Sequence, residues 1–158
     1  MPVVAHPGPS SPVAPGIRLE VPQEWATAPA GTALLRAGGP GRGGDEVDVV
    51  VVHRVGAPGE TAEAVAAEAA ASAAGASGEV EEPFVVEICG REWFAHNVSL
   101  DTADGPVVEV HLVTALPATE EASPVVHVLG RVRGDGLDAD YDLLQQVLET
   151  LSVEEAGA

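Results

Sequence analysis

The sequence predicts an α+β domain in which a twisted, mostly antiparallel sheet of about six to seven strands is flanked by two main helices. Seven apolar segments are separated by turn residues at hairpin distances. Two further segments have helical spacing. The resulting order is three strands, a helix, four strands and a helix, which favours hairpin-connected antiparallel pairing. The 158 residues suffice for one such core.

The two ends of the chain differ in composition from the middle. Residues 1–16 contain five prolines and no amphipathic period, so they predict a disordered tail. Residues 17–153 carry all the strand and helix patterns and are predicted to form the single domain. Residues 154–158 are predicted to be a disordered C-terminus.

The first three predicted strands are residues 17–21, 32–37 and 47–55. In the third, "VDVVVVHRV", both alternating faces are apolar, which predicts a central strand covered on each side. The segment 37–46 is rich in glycine and predicts a mobile hairpin loop. It resembles a phosphate-binding loop only superficially, because the chain has no lysine to contact the phosphates.

The first predicted helix covers residues 60–75. Glu60 and Glu63 stand at its start, where carboxylates favour the helix dipole, and Gly75 ends it. Its many alanines give high helix propensity, and Val65 is its only bulky apolar residue. Such a thin helix can lie close to a sheet but buries modest area.

The second predicted helix covers residues 137–151 and is more strongly amphipathic. Tyr141, Leu144, Leu148 and Leu151 repeat at helical spacing. Aspartates near its start are candidate caps, namely Asp138 and Asp140. We expect this helix to cover the main core.

The four predicted strands between the helices are residues 83–88, 92–100, 106–116 and 124–133. Alternation predicts an inward set in the second of these strands: Phe94, His96, Val98 and Leu100. The opposite set there is Trp93, Asn97 and Ser99. In the third strand Glu109 and His111 are predicted on the outward face, and the inward set is Val108, Val110, Leu112 and Leu116. In the fourth strand His127 and Arg131 are predicted on the outward face, and the inward set is Val126, Val128 and Val132.

Matching the apolar faces across these hairpins predicts the strand register. Asn97 is expected opposite His111, Ser99 opposite Glu109, and Glu109 opposite Arg131. The last pair is a cross-strand ion pair that contributes about 0.2–1 kcal/mol.

Histidines and carboxylates on these strands are candidates for a metal site. His111 and His127 are predicted to share a face, with Glu109 nearby, whereas His96 is predicted on the other face. A metal centre needs further convergent ligands. We therefore interpret these histidines as solvated or hydrogen-bonded strand residues, and we predict neither a metal nor a cofactor.

Other short patterns are explained without chemistry. Asp138, Asp140, Asp142 and Glu149 match positions 1, 3, 5 and 12 of a calcium loop, but the glycine required at position 6 is Leu143, and helix capping explains the acids. Cys89 lies between acidic residues, which does not favour a thiolate nucleophile, so we interpret it as a buried or turn thiol.

Charge and composition exclude several classes of protein. The chain has 25 acidic residues and seven arginines, no lysine, and a net charge of −18. Nucleic-acid binding needs a basic surface, and anionic membranes are disfavoured for the same reason. Schiff-base enzymes need an amine that this chain does not have. A basic protein partner is compatible with this charge, and the composition is also typical of a GC-rich bacterial genome.

Targeting signals are not evident in the sequence. One cysteine gives no internal disulfide, the N-terminus lacks the charged and apolar regions of a secretory signal, and no apolar run reaches membrane-spanning length. These features predict a cytoplasmic protein without membrane insertion.

The stretch "IRLEVPQEW" is a strand followed by a proline and then by Trp25 in a "P-x-x-W" turn. Together with the later "G-R-E-W" hairpin, which contains Trp93, and with the order of elements, it resembles the PsbP-like family over residues 17–153. That family includes photosystem II PsbP, a Ran-binding nuclear-import factor and actinobacterial lipoproteins of the LpqN type. The resemblance implies an α/β/α sandwich without a shared catalytic residue set.

The resemblance and the residue patterns together favour a binding protein over an enzyme. Our first hypothesis is a non-catalytic protein-interaction or scaffold module, associated with secretion or acting as a homodimer. The alternative is a carrier of a small apolar ligand, with a pocket between the sheet and its alanine-rich helix. Candidate interaction or structural residues are Trp25, Trp93, Glu109, His111, His127 and Arg131.

Overall fold

The computed structural model describes residues 2–6, 15–29 and 31–155. In these residues the chain forms eleven strands and two helices. In chain order they are β1 (Val3–His6), β2 (Gly16–Glu20), β3 (Ala26–Thr27), β4 (Leu35–Pro40), β5 (Glu46–Gly56), α1 (Ala62–Ala74), β6 (Glu79–Val80), β7 (Phe84–Ile88), β8 (Arg91–Thr102), β9 (Gly105–Ala115), β10 (Ser123–Arg133), α2 (Leu137–Leu148) and β11 (Ser152–Glu154).

Two antiparallel sheets organise the domain. The main sheet has eight strands in the order β3-β4-β5-β10-β9-β8-β6, with β7 also paired to β8. The small sheet has the order β1-β2-β11. The predicted α+β class is therefore confirmed. The eleven strands exceed the seven predicted ones because β1, β3, β6 and β11, each of two to four residues, were not predicted. Strand β2 was predicted but pairs in the small sheet.

The main core lies between one face of the main sheet, helix α2 and the small sheet. It buries side chains from all three layers, including Leu19, Val49, Val128 and Leu144. Gly130 of β10 allows α2 to approach closely, because a Cβ atom there would lie 2.8 Å from Leu144 Cδ1. As predicted from its spacing, α2 is the helix that covers this core.

Helix α2 ends earlier and begins differently than predicted. It stops at Leu148, and the chain continues into β11, so the predicted helix was three residues too long. Its N-cap is Gly136, without a side-chain cap. Asp140 is fully buried in the first turn, where its Oδ1 accepts a hydrogen bond of 2.7 Å from Gly43 N–H. The prediction that Asp138 or Asp140 caps this helix is therefore wrong, and Asp140 instead binds the β4–β5 hairpin turn.

Helix α1 packs on the opposite face of the main sheet. Thr61 caps it by accepting a hydrogen bond from Ala64 N–H, and Gly75 ends it with a φ of 58°. The buried side of the helix consists of Ala62, Val65, Ala66, Ala70 and Ala74. These small residues contact β8 and β9, as expected for an alanine-rich helix that lies close to a sheet.

The predicted register of β8 against β9 is wrong by one residue. A two-residue turn joins Thr102 to Gly105, and this loop length sets His96 opposite His111. The same register places Val98 opposite Glu109 and Asn97 opposite Val110. Trp93 therefore lies on the α2 side, whereas His96 lies on the α1 side with His111. The predicted pairing of Glu109 with Arg131 is confirmed.

Both ends of the chain contain strands that the sequence did not predict. Val3–His6 forms β1 and pairs with β2, so the prediction of a disordered tail is wrong for these residues. The other part of that tail, residues 7–14, lies outside the described residues. At the C-terminal end Glu154 pairs with Gly16, so the predicted disorder is also wrong there, and residues 156–158 lie outside the description.

Candidate functional site

Helix α1 covers only half of its face of the main sheet. It packs on β8, on β9 and on Val125 near the start of β10, and leaves β4, β5 and the rest of β10 without a covering helix. We call this half of the sheet the open face; His127 lies buried in its floor, and its other residues are Arg36, Asp48, Val50, Val52, Arg54, Leu129 and Arg131. The prediction that β5 is covered on each side is therefore wrong, since Val50 and Val52 are only half-buried.

Two adjoining grooves run over the open face. One, of about 820 Å³, lies between α1 and the sheet and includes Val65, Ala69 and His127 in its walls. The other, of about 540 Å³, lies over β4, β5 and β10. They share Arg54, His127, Leu129 and Arg131, so they form one continuous concave surface.

A chain of hydrogen-bonded polar side chains forms part of the floor of these grooves. Arg131 donates from Nε (2.9 Å) and from Nη2 (2.6 Å) to Glu109 Oε2. Glu109 Oε1 lies 3.1 Å from His111 Nε2, and His111 Nδ1 lies 3.0 Å from His127 Nε2. The two imidazole rings are stacked with centroids 5.2 Å apart. We call Arg131, Glu109, His111 and His127 the polar chain.

The polar chain combines buried and exposed members. Glu109, His111 and His127 are each at most 5% exposed, whereas the side chain of Arg131 is 39% exposed. The sequence had grouped these four residues, and the structure brings them into direct contact. It does not leave the histidines solvated, which was one of the two interpretations; they are hydrogen-bonded.

Hydrogen positions along the polar chain follow from the carboxylate. An ionised Glu109 can only accept, so His111 donates through Nε2–H. When His111 is neutral, its Nδ1 must accept, and His127 donates through its own Nε2–H. When His111 is charged, it donates from both nitrogens and His127 carries its proton on Nδ1. In both states His127 Nδ1 has no partner within the described residues, and His127 lines both grooves.

Burial and neighbouring charges hold the ends of the polar chain in defined charge states. Burial lowers the pKa of His127 to about 4; His111 and Arg54 add to this effect, and Glu109 opposes it. The pKa of Glu109 is also lowered, first by its hydrogen bond to His111 and then by Arg131, although burial opposes the shift. At neutral pH the polar chain therefore contains a carboxylate and a neutral His127.

His96 lies beside the polar chain, which the predicted register had ruled out. It is buried on the α1 side opposite His111, and its Nδ1 has no hydrogen-bond partner within the described part of the chain. Burial and the proximity of His111 lower its pKa, and Glu63 of α1 opposes this. Among residues 2–6, 15–29 and 31–155, no group of three or more metal-ligand side chains converges.

Arginines are concentrated on the open face and its margin. Arg36, Arg54, Arg131 and Arg133 point to this side of the sheet, which is four of the seven arginines in a chain of net charge −18. Arg133 binds Asp48 at 2.9 Å, and Arg131 binds Glu109. Arg36 and Arg54 are exposed, and neither has an ion-pair partner among the residues described.

Sequence reasoning missed Arg36 and Arg54 as site residues. Strand alternation could have placed them on one face of the sheet. Arg36 lies opposite Val50, and Val50, Val52 and Arg54 are alternate residues of β5. That signal had no meaning until the structure showed which face of β5 is open.

The two tryptophans lie in the core and not on an interaction surface. Trp25 is 5% exposed, and its Nε1 donates a 3.2 Å hydrogen bond to Pro40 O. It packs over β4, where a Cβ atom on Gly39 would lie 2.7 Å from Trp25 Cδ1. Trp93 is fully buried. Both are therefore structural residues that supply area which alanine and valine cannot.

A separate apolar groove of about 260 Å³ lies between β7 and α2. Phe84, Ile88, Leu112 and Leu148 line it, and Phe84 is 40% exposed. The expected apolar pocket between the sheet and α1 is instead the polar groove over His127 and Arg131.

The remaining sequence candidates lie away from these grooves. Cys89 is an exposed turn residue with a φ of 50°, which agrees with the turn interpretation. The aspartates of the apparent calcium loop lie on helix α2, as the helix interpretation requires. Neither α1 nor α2, the helices of the described residues, is long and apolar enough to cross a membrane.

The architecture defines this chain as a protein of PsbP-like fold. Solved structures with this architecture include LpqN of Mycobacterium tuberculosis, with a TM-score of 0.67, 15% identity, and coverage of 96% of this chain and 91% of that one. Cyanobacterial PsbP from Synechocystis superposes with a TM-score of 0.58 at 11% identity, covering 96% of this chain and 92% of that one.

A Bacteroides thetaiotaomicron protein is similar over 90% of this chain, with a TM-score of 0.55 and 11% identity. The chain spans about half of that protein, since the match covers 46% of it. No family model and no curated protein matches the sequence. The comparisons therefore establish the fold and confirm the predicted resemblance to PsbP and LpqN at the level of structure.

Proposed function

We propose that this chain is a non-catalytic protein-interaction module that docks a segment of a partner protein on the open face. The observation that carries the proposal is the half-covered sheet. Helix α1 leaves parts of three adjacent strands without a covering helix, and the two adjoining grooves, which share four residues, give a continuous open groove instead of a closed pocket. A surface of this shape suits an extended polypeptide better than a compact molecule.

The polar chain supports a binding role for this surface. Glu109 and His111 hydrogen-bond to their neighbours in the polar chain, which holds both side chains in one orientation. Burial keeps His127 neutral and lowers its basicity, which is unfavourable for a general base at neutral pH. We infer that these residues give the groove a rigid floor with one free ring nitrogen, His127 Nδ1.

The cellular setting of this module is also a proposal. LpqN is described as involved in cell envelope biogenesis. A scaffold that assists proteins bound for the envelope is compatible with that description, and a secretion-associated partner is therefore included in the proposal. We further propose that the module acts in the cytoplasm, as its sequence predicts.

Affinity capture with a variant of the open face tests the proposal. Val52→Glu places a charge in the middle of the face, and Val85→Glu is the matched control because Val85 is a valine of β7 that is 54% exposed and lines neither groove. We expect a partner that copurifies with the wild-type chain and with Val85→Glu but not with Val52→Glu. Equal recovery with both variants, or no specific partner, would contradict the proposal.

The second candidate function is a carrier of a small apolar ligand, and the groove between β7 and α2 favours it. That groove is lined mainly by apolar side chains from the sheet and from α2 and includes the partly exposed Phe84. Titration with indole, followed by NMR, should then shift the resonances of Phe84 and Leu148. An absence of shifts at millimolar indole would exclude this candidate.

A further inference from the structure

We infer that the segment docked on the open face is acidic, and that Arg36 and Arg54 bind two of its carboxylates. The inference rests on the proposed docking function and names the chemistry of the occupant. The whole-chain charge of −18 had suggested a basic partner. The groove of about 540 Å³ has a different balance, because three arginines and two carboxylates line it, and Arg36 and Arg54 are exposed there without a carboxylate of the described residues in ion-pair contact. The adjoining groove is acidic, since Glu60 and Glu68 line it together with Glu109.

The internal ion pairs show which arginines are available to a partner. Arg131 uses Nε and Nη2 on Glu109, and Arg133 uses Nη2 on Asp48. These two pairs neutralise Glu109 and Asp48. Arg36 and Arg54 form no ion pair with a carboxylate of the described residues, and both line the groove of about 540 Å³. A guanidinium in this situation binds a carboxylate through paired N–H donors.

The strand register gives the spacing of the two arginines. Arg36 lies opposite Val50, and Arg54 follows four residues later along β5. Four residues of strand span about 13 Å. Because the two arginines lie on adjacent strands, a lateral offset of about 4.8 Å raises their separation to about 14 Å. Two acidic side chains four residues apart in an extended segment are about 13 Å apart and point to the same side. The residue midway between them then faces Val52.

The floor between the arginines is apolar. Val50, Val52 and Leu129 are half-buried and line the same groove. The geometry therefore fits a segment in which acidic residues alternate along one side with an apolar residue. The acidic residue Glu46 lies beyond Asp48 at the far end of the groove, away from Arg54.

Binding of a defined peptide tests the inference. The probe is an acetylated, amidated peptide of sequence ESVSESVSE, and its neutral counterpart is QSVSQSVSQ. We expect the acidic peptide to shift amide resonances of residues 48–54 and 125–131 in the full chain, with an affinity that falls as salt is added. The double variant Arg36→Gln, Arg54→Gln should weaken binding by about fivefold or more.

The matched control is Arg18→Gln, which removes one exposed arginine from β2 in the small sheet and should leave the affinity unchanged. Equal binding of the neutral peptide, or unchanged binding by the double variant, would overturn the inference. Equally tight binding of free glutarate at the same residues would also overturn it, because the site would then recognise a small anion. Loss of a captured partner with Val52→Glu but not with the double variant would leave the docking function standing and remove only its acidic specificity.

Discussion

Replacing His127 by glutamine should remove a defined part of the acid sensitivity of folding. His127 is 5% exposed and lies against His111, with Arg54 and Glu109 also acting on it. Burial and the two basic neighbours oppose its protonation in the folded chain. Glutamine can hydrogen-bond to His111 through its amide but does not titrate, so it retains the contact and removes the proton linkage.

The size of the effect follows from the pKa of His127 in the two states. The pKa is 6.5 for the unperturbed side chain and about 4 in the folded protein. Between these values the unfolded chain binds a proton that the folded chain does not, so the unfolded state gains stability as the pH falls. The unfolding free energy does not depend on this proton above about pH 6.5, and by about pH 4 the proton has lowered it by roughly 3 kcal/mol.

Urea unfolding, followed by the fluorescence of the two buried tryptophans, measures this effect. The difference in unfolding free energy between the wild type and His127→Gln should change by roughly 3 kcal/mol in favour of the variant from about pH 7 to pH 4. The control is His53→Gln, on the other face of β5, whose unfolding free energy should fall between about pH 7 and pH 4 as that of the wild type does. A difference that stays constant with pH would show that His127 is not held neutral by its surroundings.

Three further substitutions test individual contacts by the same unfolding measurement. Glu109→Gln weakens the charge-assisted hydrogen bonds to Arg131 and should cost about 1–3 kcal/mol of unfolding free energy at neutral pH. This loss should shrink below about pH 4.5, because the lowered pKa of Glu109 stabilises the fold only while the carboxyl of the unfolded chain is ionised. A loss that does not change with pH would contradict this. Gly130→Ala forces a Cβ atom against Leu144 and should cost about 1–3 kcal/mol, whereas a neutral effect would mean that α2 is free to shift. Asp140→Ala leaves Gly43 N–H without its acceptor and should cost about 1–3 kcal/mol, and unchanged stability would show that water replaces the carboxylate.

The class of fold and the polar chain could be predicted because both follow from patterns within neighbouring strands of one hairpin. Glu109, His111, His127 and Arg131 lie on two adjacent long strands whose opposite faces are apolar, so alternation identified their common face correctly. Helix α1 was also evident, because its alanines are unbroken by glycine or proline until Gly75.

The register of β8 could not be predicted in the same way, because both of its faces are buried. Trp93 and Ala95 enter the main core, while Val98 packs under α1. Alternation then carries no information about which set faces which helix, and the turn between Thr102 and Gly105 decides the pairing. As a result, His96 was assigned to the wrong face.

The open face could not be predicted from the sequence, because it depends on which part of the sheet helix α1 covers. Val50 and Val52 look like core residues, and only the position of α1 over β8 and β9 leaves them at the surface. Strands β1 and β11 were missed for a related reason. Each is short and is stabilised by pairing with β2, a partner distant in sequence from β11.

Hydrogen–deuterium exchange of the chain, alone and with a captured partner, tests the central claim most directly. The account predicts that the partner slows exchange in β4, β5 and β10 and along the side of α1 that borders the groove. It predicts no change in β7 or in the C-terminal half of α2. Protection confined to β7 and α2 would contradict it, because the partner would then occupy the apolar groove and leave the open face empty.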